Sequence, residues 1–174
     1  VLGKAQVVDS LEQALVGCNL VMGTSARERS IPWPLIDPRE CGAKAVEHAL
    51  GGEEIALVFG REHAGLTNEE LQRCHFHVHI PSNPDFSSLN LAAAVQVLSY
   101  EVRMAWLAAE DAPAKVEKVD ASELATMDEM ELFYQHLEST LVDIGFLDPT
   151  KPKHLMPRLR RLYGRSSVSR SEIS

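Results

Sequence analysis

Three segments of this chain each combine a short apolar run with a turn rich in Gly, Ser, Thr or Asn. They are GTSARER at residues 23–29, VFGREHAGL at residues 58–66 and IPSNPDFSSLNLAAAVQVL at residues 80–98. If the apolar runs are parallel strands, the three turns follow strand ends that meet at one edge of a sheet. Open α/β sheets bind nucleotide-like ligands in the crevice at that edge. The three loops together therefore constrain fold and site more than any one loop does.

Apolar runs alternate with helical patterns over residues 1–109, which predicts an α/β domain with a parallel sheet. Strands are predicted at residues 5–8, 19–23, 55–59 and 76–80, and a loop at 25–36. N-cap signals at Ser10, Asp37 and Thr67 predict the starts of three helices. A long helix is predicted from Ser87 or Ser88 to about residue 109.

The long helix is apolar nearly all round, which a helix with one buried side does not require. We expect it to pack on the sheet and on a second subunit, although a wholly internal helix would have the same composition. Beyond it, an acidic linker is predicted at residues 110–127 and a small helical extension with a basic tail at 128–165. Residues 166–174 are predicted to be disordered.

Charge and cysteine content restrict the class of protein. The net charge is −8, which argues against nonspecific coating of nucleic acid. Residues 151–170 nevertheless carry seven Lys or Arg and no acid, whereas residues 110–131 carry eight acids and two lysines.

The three cysteines form no C-x-x-C pair, so a reducing cytoplasm is expected. No apolar run has the length of a membrane span. The chain starts at Val1, directly before its first predicted element, and we expect an N-terminal segment to be missing.

The first two loops offer polar and backbone contacts for a ligand. Small residues at Thr24, Ser25 and Ala26 would let a ligand approach the backbone, although a plain turn has the same composition. Gly60 would let an adenine or a ribose lie against the chain. Glu62 could accept a hydrogen bond from a ribose hydroxyl or orient Arg61, or simply form a solvated salt bridge.

The third loop places Ser87, Ser88 and Asn90 at a helix N-terminus, where free amides and the helix dipole favour a carboxylate or a phosphate. Ordinary capping needs only one of the three. No dinucleotide-binding glycine motif, P-loop or nucleophile elbow is present. His75, His77 and His79 would share one face of a strand, but no fourth ligand has convincing spacing, so a polar strand edge is favoured over a metal.

These residues resemble the SPOUT class of RNA methyltransferases, whose fold is a trefoil knot. The motifs that carry the resemblance are GTSAR, FGREHAGLTNEEL and SSLNLAAAVQV, in that order. RSIPWPLIDPREC and LSYEVRMAW make the chain most similar to the bacterial tRNA 2′-O-methyltransferases that act on cytidine or uridine 32 of the anticodon loop. The resemblance is strong over residues 1–107 and weaker in the helical extension and basic tail.

The resemblance implies an S-adenosyl-L-methionine cofactor, a tRNA substrate and a homodimer with the long helix at its interface. It implies that the cofactor-binding residues are Thr24, Ser25, Ala26, Gly60, Ile80, Ser87, Ser88 and Leu89. It assigns catalytic roles to Glu62, Ser88 and Asn90. The first motif of the family, which contains a catalytic Arg, would lie before Val1, and neither Arg27 nor Arg29 matches it.

The basic tail provides the natural contacts for RNA phosphates. The candidates are Lys151, Lys153, Arg158, Arg160, Arg161 and Arg165. Charge alone leaves a solvated tail equally open. Two other functions remain as alternatives: a noncatalytic fragment that binds cofactor and RNA and dimerises, and a doubly wound domain for another nucleotide, which the absent phosphate motifs disfavour.

Overall fold

A four-stranded parallel sheet organises the first part of the chain. The computed structural model describes residues 2–25, 33–83, 85, 89–111 and 124–173. Its strands are β1 (Leu20–Thr24), β2 (Leu35–Ile36), β3 (Ile55–Val58) and β4 (Phe76–Val78). They lie in the order β2-β4-β1-β3, and all neighbours are parallel. The predicted α/β class with a parallel sheet is confirmed.

Six α-helices occur in the described part of the chain. They are α1 (Leu11–Ala14), α2 (Pro38–Leu50), α3 (Asn68–Gln72), α4 (Leu91–Asp111), α5 (Met127–Asp143) and α6 (Leu155–Gly164), with short 3-10 helices at Leu2–Lys4 and Arg170–Glu172. The predicted caps are confirmed: Asp37 accepts a hydrogen bond from the Glu40 amide at 2.8 Å, and Thr67 accepts one from the Glu70 amide at 3.2 Å. No helix among the described residues is long and apolar enough to cross a membrane.

Alternating residues of β1 pack into two different hydrophobic clusters. Leu20 and Met22 lie in one cluster with residues of α2 and α4, including Cys41 and Leu98. Val21 lies in the other cluster, on the opposite face of the sheet. Leu15, Cys74 and Met127 also pack there, so that face is covered by the α1 and α3 segments and by the start of α5.

Helices α2 and α4 approach each other so closely that the contact requires a glycine. A Cβ atom on Gly42 would lie 2.7 Å from both the carbonyl carbon and the carbonyl oxygen of Glu101. Gly42 is buried within α2, and the atoms it faces belong to the backbone of α4. These atoms cannot move aside as the end of a flexible side chain could, so the missing side chain sets the distance between the helices.

The helical extension docks on the sheet domain of the same chain. The Met127 amide donates a hydrogen bond to the Cys18 carbonyl at 2.8 Å, and the Gly17 amide donates one to Asp128 Oδ1 at 3.0 Å. Asn19 Nδ2 reaches the Leu124 carbonyl at 3.3 Å. The loop between α1 and β1 therefore receives the start of α5.

The extension also has a small core of its own. Helices α5 and α6 pack around a buried set that comprises Ala125, Met130, Tyr134, Leu147 and Met156. The apolar spacing predicted this helix, and Gly145 was predicted to end it. Helix α5 begins at Met127 and ends before Gly145, which has a φ of +73°.

Several predicted boundaries in the sheet domain were wrong. Residues 5–8 form no strand, and the Val7 side chain is exposed. The region predicted to be a loop contains the short strand β2, which pairs with β4. Helix α4 begins at Leu91 rather than at Ser87 or Ser88. Strand pairing depends on partners distant in sequence, which a local pattern does not contain.

The C-terminal residues are ordered, which corrects the prediction of a disordered tail. The Ala125 amide donates a hydrogen bond to the Val168 carbonyl at 2.9 Å, and Leu124 forms an isolated antiparallel bridge with Ser169. Arg170 pairs with Glu129 at 3.0 Å. Composition suggested disorder, but the end of the linker and α5 supply partners that local sequence does not reveal. Most of the predicted acidic linker lies outside the described residues.

Replacing Gly42 with alanine is expected to destabilise the sheet domain by about 1–3 kcal/mol, because the added methyl group overpacks a backbone contact. Alanine is the better helix former, so a site with free space would gain stability instead. Urea unfolding measures the difference. Gly3→Ala is the control, since nothing lies within 4 Å of a Cβ atom at Gly3. Equal or greater stability of Gly42→Ala would contradict the close contact.

Candidate functional site

The carboxyl ends of β1, β3 and β4 lie side by side, as the three loops predicted. The Thr24 hydroxyl donates a hydrogen bond to the Val58 carbonyl at 3.2 Å, which joins the ends of β1 and β3. The Ser25 amide donates one to the Val78 carbonyl at 3.0 Å, which joins the ends of β1 and β4. His79 Nδ1 lies 3.3 Å from the Ser25 carbonyl oxygen. Thr24 and Ser25 are both partly exposed at this edge.

The loop after β3 folds back over Gly60. The Gly65 amide donates a hydrogen bond to the Arg61 carbonyl at 2.8 Å, and Gly65 has a φ of +67°. A Cβ atom on Gly60 would lie 2.2 Å from the Gly65 carbonyl carbon. A glycine is therefore required at position 60 by the loop itself, whereas the sequence had suggested that it makes room for a ligand.

Arg61 is oriented by Glu70, not by Glu62 as the sequence had suggested. Its guanidinium donates two hydrogen bonds to the Glu70 carboxylate, at 2.9 and 3.3 Å. The pKa of Glu70 is lowered, first by the hydrogen bond from the Thr67 amide and then by Arg61. Glu62 is exposed on the surface of the loop. The capping residue of α3 thus also fixes the Arg61 side chain beside the strand ends.

In the third loop, Asn90 caps helix α4. Its Oδ1 accepts a hydrogen bond from the Ala92 amide at 2.9 Å, and its carbonyl accepts one from the Ala94 amide at 3.0 Å. Leu89 beside it is exposed, whereas Ile80 is half-buried against the core cluster under α2 and α4. The predicted contacts Ala26, Ser87 and Ser88 lie outside the described residues.

The three alternating histidines have hydrogen-bonding partners within the fold. His75 Nδ1 accepts the Val21 amide at 3.0 Å, and His77 Nε2 lies 3.0 Å from the Leu71 carbonyl oxygen. The His77 ring stacks on Trp33 at 5.5 Å, and Trp33 donates to the Cys74 carbonyl at 2.8 Å. Within the described ranges, no three His, Cys, Asp or Glu side chains are grouped to hold a metal. The sequence left Trp33 open between a lid over the site and a packed loop, and in the structure it packs against His77.

The six basic residues proposed for RNA are not equivalent in the structure. Four are exposed: Lys151, Lys153, Arg158 and Arg165. Arg160 instead donates two hydrogen bonds to the Glu131 carboxylate, at 2.7 and 2.8 Å, and lies 4.4 Å from the centre of the Tyr134 ring. Arg161 is half-buried, and its Nε atom has no partner among the described residues. Arg160 is therefore a structural residue that joins α6 to α5.

The fold is that of a class of methylases. The crystal structure of TrmJ from Z. mobilis ZM4 superposes on 99% of this chain with a TM-score of 0.78 at 28% identity, and the match spans 70% of that chain. A probable methylase family protein from Haemophilus influenzae Rd KW20 gives a TM-score of 0.61 at 43% identity, over 99% of this chain and 69% of that one.

Sequence comparison identifies the family. Residues 3–100 match the SpoU rRNA Methylase family, and residues 128–174 match the C-terminal domain of tRNA methyltransferase TrmJ. The tRNA (cytidine/uridine/adenosine-2′-O-)-methyltransferase TrmJ of Pseudomonas aeruginosa is 66% identical over all of this chain and 70% of its own length. The tRNA (cytidine/uridine-2′-O-)-methyltransferase TrmJ of Escherichia coli K12 is 53% identical with the same coverage. The chain belongs to the SpoU methylase family and ends in a TrmJ C-terminal domain.

The environment of His75 predicts a specific loss of stability in weak acid. Burial lowers the pKa of His75 to about 4, from an ordinary value of 6.5. As the pH falls below 6.5, the unfolded chain binds a proton that the folded chain does not. We therefore expect the free energy of unfolding to fall by about 2 kcal/mol between pH 7 and pH 5 through this group.

The variant His75→Asn tests this effect, because its Oδ1 atom replaces Nδ1 as acceptor for the Val21 amide but does not titrate. Urea unfolding at pH 7 and pH 5 gives the pH dependence of each protein. The variant should lose less stability than the wild type over that interval. An equal loss in both would assign the acid sensitivity to other groups.

Proposed function

We propose that this chain belongs to an S-adenosyl-L-methionine-dependent tRNA methyltransferase that modifies the ribose 2′-oxygen of nucleotide 32 in the anticodon loop. The observation that carries the proposal is the 66% identity, along the whole chain, with a relative named as a tRNA 2′-O-methyltransferase. Cytidine and uridine are the proposed targets. The name of that relative adds adenosine, so the range of bases is part of the test.

The residues at the strand ends fit a cofactor of this type. Thr24, Ser25, Gly60 and Ile80 are all partly exposed at neighbouring strand ends or in the loops that follow them. The first three have small side chains, and Ile80 adds an apolar surface. Such an edge suits an adenosine moiety, which is recognised by backbone hydrogen bonds and flat apolar contacts. Ala26, Ser87, Ser88 and Leu89 complete the proposed binding set. When bound, S-adenosyl-L-methionine supplies a methyl group on a positively charged sulfur.

The chain's own contribution to the reaction is to position the groups that take part in it. A ribose 2′-hydroxyl is a weak nucleophile, so it must lose its proton as the new bond forms. The resemblance assigns removal of this proton to the catalytic Arg of the family's first motif. We assign orientation of that Arg to Ser88 and Asn90, with Glu62 supporting the same network. The Oδ1 atom of Asn90 accepts the Ala92 amide, so its amide nitrogen is the group proposed to hold the network. Holding the reacting groups in line is the main source of acceleration for such a transfer.

A homodimer is proposed because α4 exposes large apolar side chains away from its contact with α2. Tyr100 is 56% exposed and Met104 is 44% exposed. Single exposed apolar residues are common, but several on one long helix favour an interface. Sedimentation equilibrium of the 19.2 kDa chain should give twice that mass. A monomer at micromolar concentration would argue against the dimer.

Two further features belong to this proposal. The trefoil knot is proposed because the chain belongs to the SpoU methylase family. A reducing cytoplasm is supported by three free cysteines, two of them buried. Nothing in the comparisons favours the noncatalytic alternative.

Methyl transfer to unmodified tRNA transcripts tests the proposed function. Transcripts with C, U, A or G at position 32 are incubated with labelled S-adenosyl-L-methionine, and the modified site is mapped by its resistance to alkaline hydrolysis. Label is expected at position 32 of the C and U transcripts, and a 2′-deoxy nucleotide there should abolish it. Transfer to another position, or to a base, would refute the assignment.

In the same assay, Asn90→Asp separates catalysis from capping. Aspartate keeps an oxygen acceptor for the Ala92 amide, so α4 should remain capped, but it lacks the amide N–H donors. Transfer should fall by at least about tenfold, the effect of losing roughly 1.4 kcal/mol at the transition state, while binding of S-adenosylhomocysteine by calorimetry is largely kept. Asn90→Ser is a second variant that preserves the cap without the amide. Full turnover in both would remove Asn90 from the mechanism.

A further inference from the structure

A groove in the helical extension lies outside the residues assigned to cofactor binding and catalysis. It has a volume of about 300 Å³ and lies between the end of α5 and the start of α6. Its lining combines an exposed aromatic ring with three cationic side chains. The lining residues used below are Phe146, Asp148, Lys151, Lys153, Leu155 and Arg158.

The backbone turn that ends α5 places Phe146 at the surface. The Gly145 amide donates to the Val142 carbonyl, and the Phe146 amide donates to the Leu141 carbonyl, both at 2.9 Å. This is a Schellman turn, in which an apolar residue at the Phe146 position usually packs back on the helix. Here Phe146 is 69% exposed, whereas Leu147 beside it is buried in the core of the extension. Leaving the ring exposed gives up roughly 1.5–3 kcal/mol of stabilisation by burial. Because the ring lies beside three cationic side chains, its surface is available to a ligand.

The backbone of the opposite wall of the groove contains local hydrogen bonds. Asp148 Oδ1 accepts hydrogen bonds from both the amide and the hydroxyl of Thr150, at 2.8 and 2.7 Å. The Leu155 amide donates to the Pro152 carbonyl at 3.0 Å. These bonds order part of the groove's backbone before a ligand binds, which lowers the entropic cost of binding.

The groove is a local concentration of positive charge on an acidic chain. Lys151, Lys153 and Arg158 line it, although the chain as a whole has a net charge of −8. The N-terminus of α6 adds the positive end of a helix dipole, and its first turn contains no acidic residue. The carboxylate of Asp148 also lines the groove, and the hydrogen bonds from Thr150 lower its pKa and keep it charged, so the lining carries three positive charges and one negative charge. An anion is therefore the complementary ligand.

We infer that this groove binds one unpaired nucleotide of an RNA, whose base stacks on Phe146 and whose flanking phosphates contact Lys151, Lys153 and Arg158. An exposed aromatic ring beside cationic side chains is the usual arrangement for single-stranded nucleic acid. Contacts with duplex phosphates alone would not use the ring, and an apolar peptide would not use the charges. The inference rests on the proposed function for the identity of the RNA as tRNA.

Binding of an unmodified, fluorescently labelled tRNA transcript to the full chain tests the groove. Dissociation constants are measured by anisotropy at several salt concentrations for four proteins besides the wild type. Phe146→Ala removes the ring, Phe146→Tyr keeps a stacking surface, and a triple variant replaces Lys151, Lys153 and Arg158 with alanine. Leu132→Ala is the matched control, because Leu132 is 66% exposed on α5 but does not line the groove.

Phe146→Ala should weaken binding by about 5- to 150-fold, the value of one base stack, with an unchanged salt slope because no charge is lost. Phe146→Tyr and Leu132→Ala should bind like the wild type. The triple variant should reduce the slope of log K against log salt by about 2, at roughly 0.7 for each lost phosphate contact.

Failure of the proposed function and failure of the groove inference give different results in this experiment. A wild-type chain that does not bind tRNA at all would overturn the proposed function together with the groove. Tight binding by the wild type that is matched by Phe146→Ala would overturn the groove alone. A weakening of equal size in Leu132→Ala would also overturn it, because the effect would then be one of exposed apolar surface in general. Circular dichroism at the assay temperature confirms that each variant is folded.

Discussion

The pairing of β1 with strands on both of its edges is the interaction on which the rest of the structure depends. Because β3 and β4 both lie parallel to β1, three chain segments leave the sheet at the same edge. The hydrogen bonds from Thr24 to Val58 and from Ser25 to Val78 extend this pairing beyond the ladder itself. The candidate crevice is thus a consequence of strand direction. No single loop could form it, because each contributes only one side.

The same strand also connects the sheet domain to the helical extension. One face of β1 carries Leu20 and Met22 into the cluster beneath α2 and α4, and the other face carries Val21 into a cluster that includes Met127 of α5. The extension is therefore attached to the body of the chain through its core and through the hydrogen bonds of residues 17–19. This attachment fixes where its basic groove is presented. In the proposed enzyme, the crevice would handle the cofactor and the groove would hold part of the RNA.

Features that depend on residues close in sequence were predictable, whereas features that depend on distant residues were not. The caps at Asp37 and Thr67 were correct because a cap involves only residues three apart in sequence. Gly145 was correctly predicted to end α5 for the same reason. In contrast, Glu62 was the nearest carboxylate to Arg61 in sequence, but Glu70 pairs with it, because α3 turns back toward the loop. Arg160 counted as a free charge in the sequence, yet Glu131 and Tyr134 engage it from another helix.

The sequence by itself determined the class of sheet, the order of the three loops and the family, because these depend on local periodicity and on motifs that are contiguous in the chain. Only the tertiary structure decided that residues 5–8 stay out of the sheet, that the C-terminal residues are ordered and that Phe146 is exposed while Leu147 is buried. Each of these depends on whether a distant segment offers a hydrogen bond or an apolar surface. Such partners are brought together by the fold, so their free energy is not visible in any local pattern.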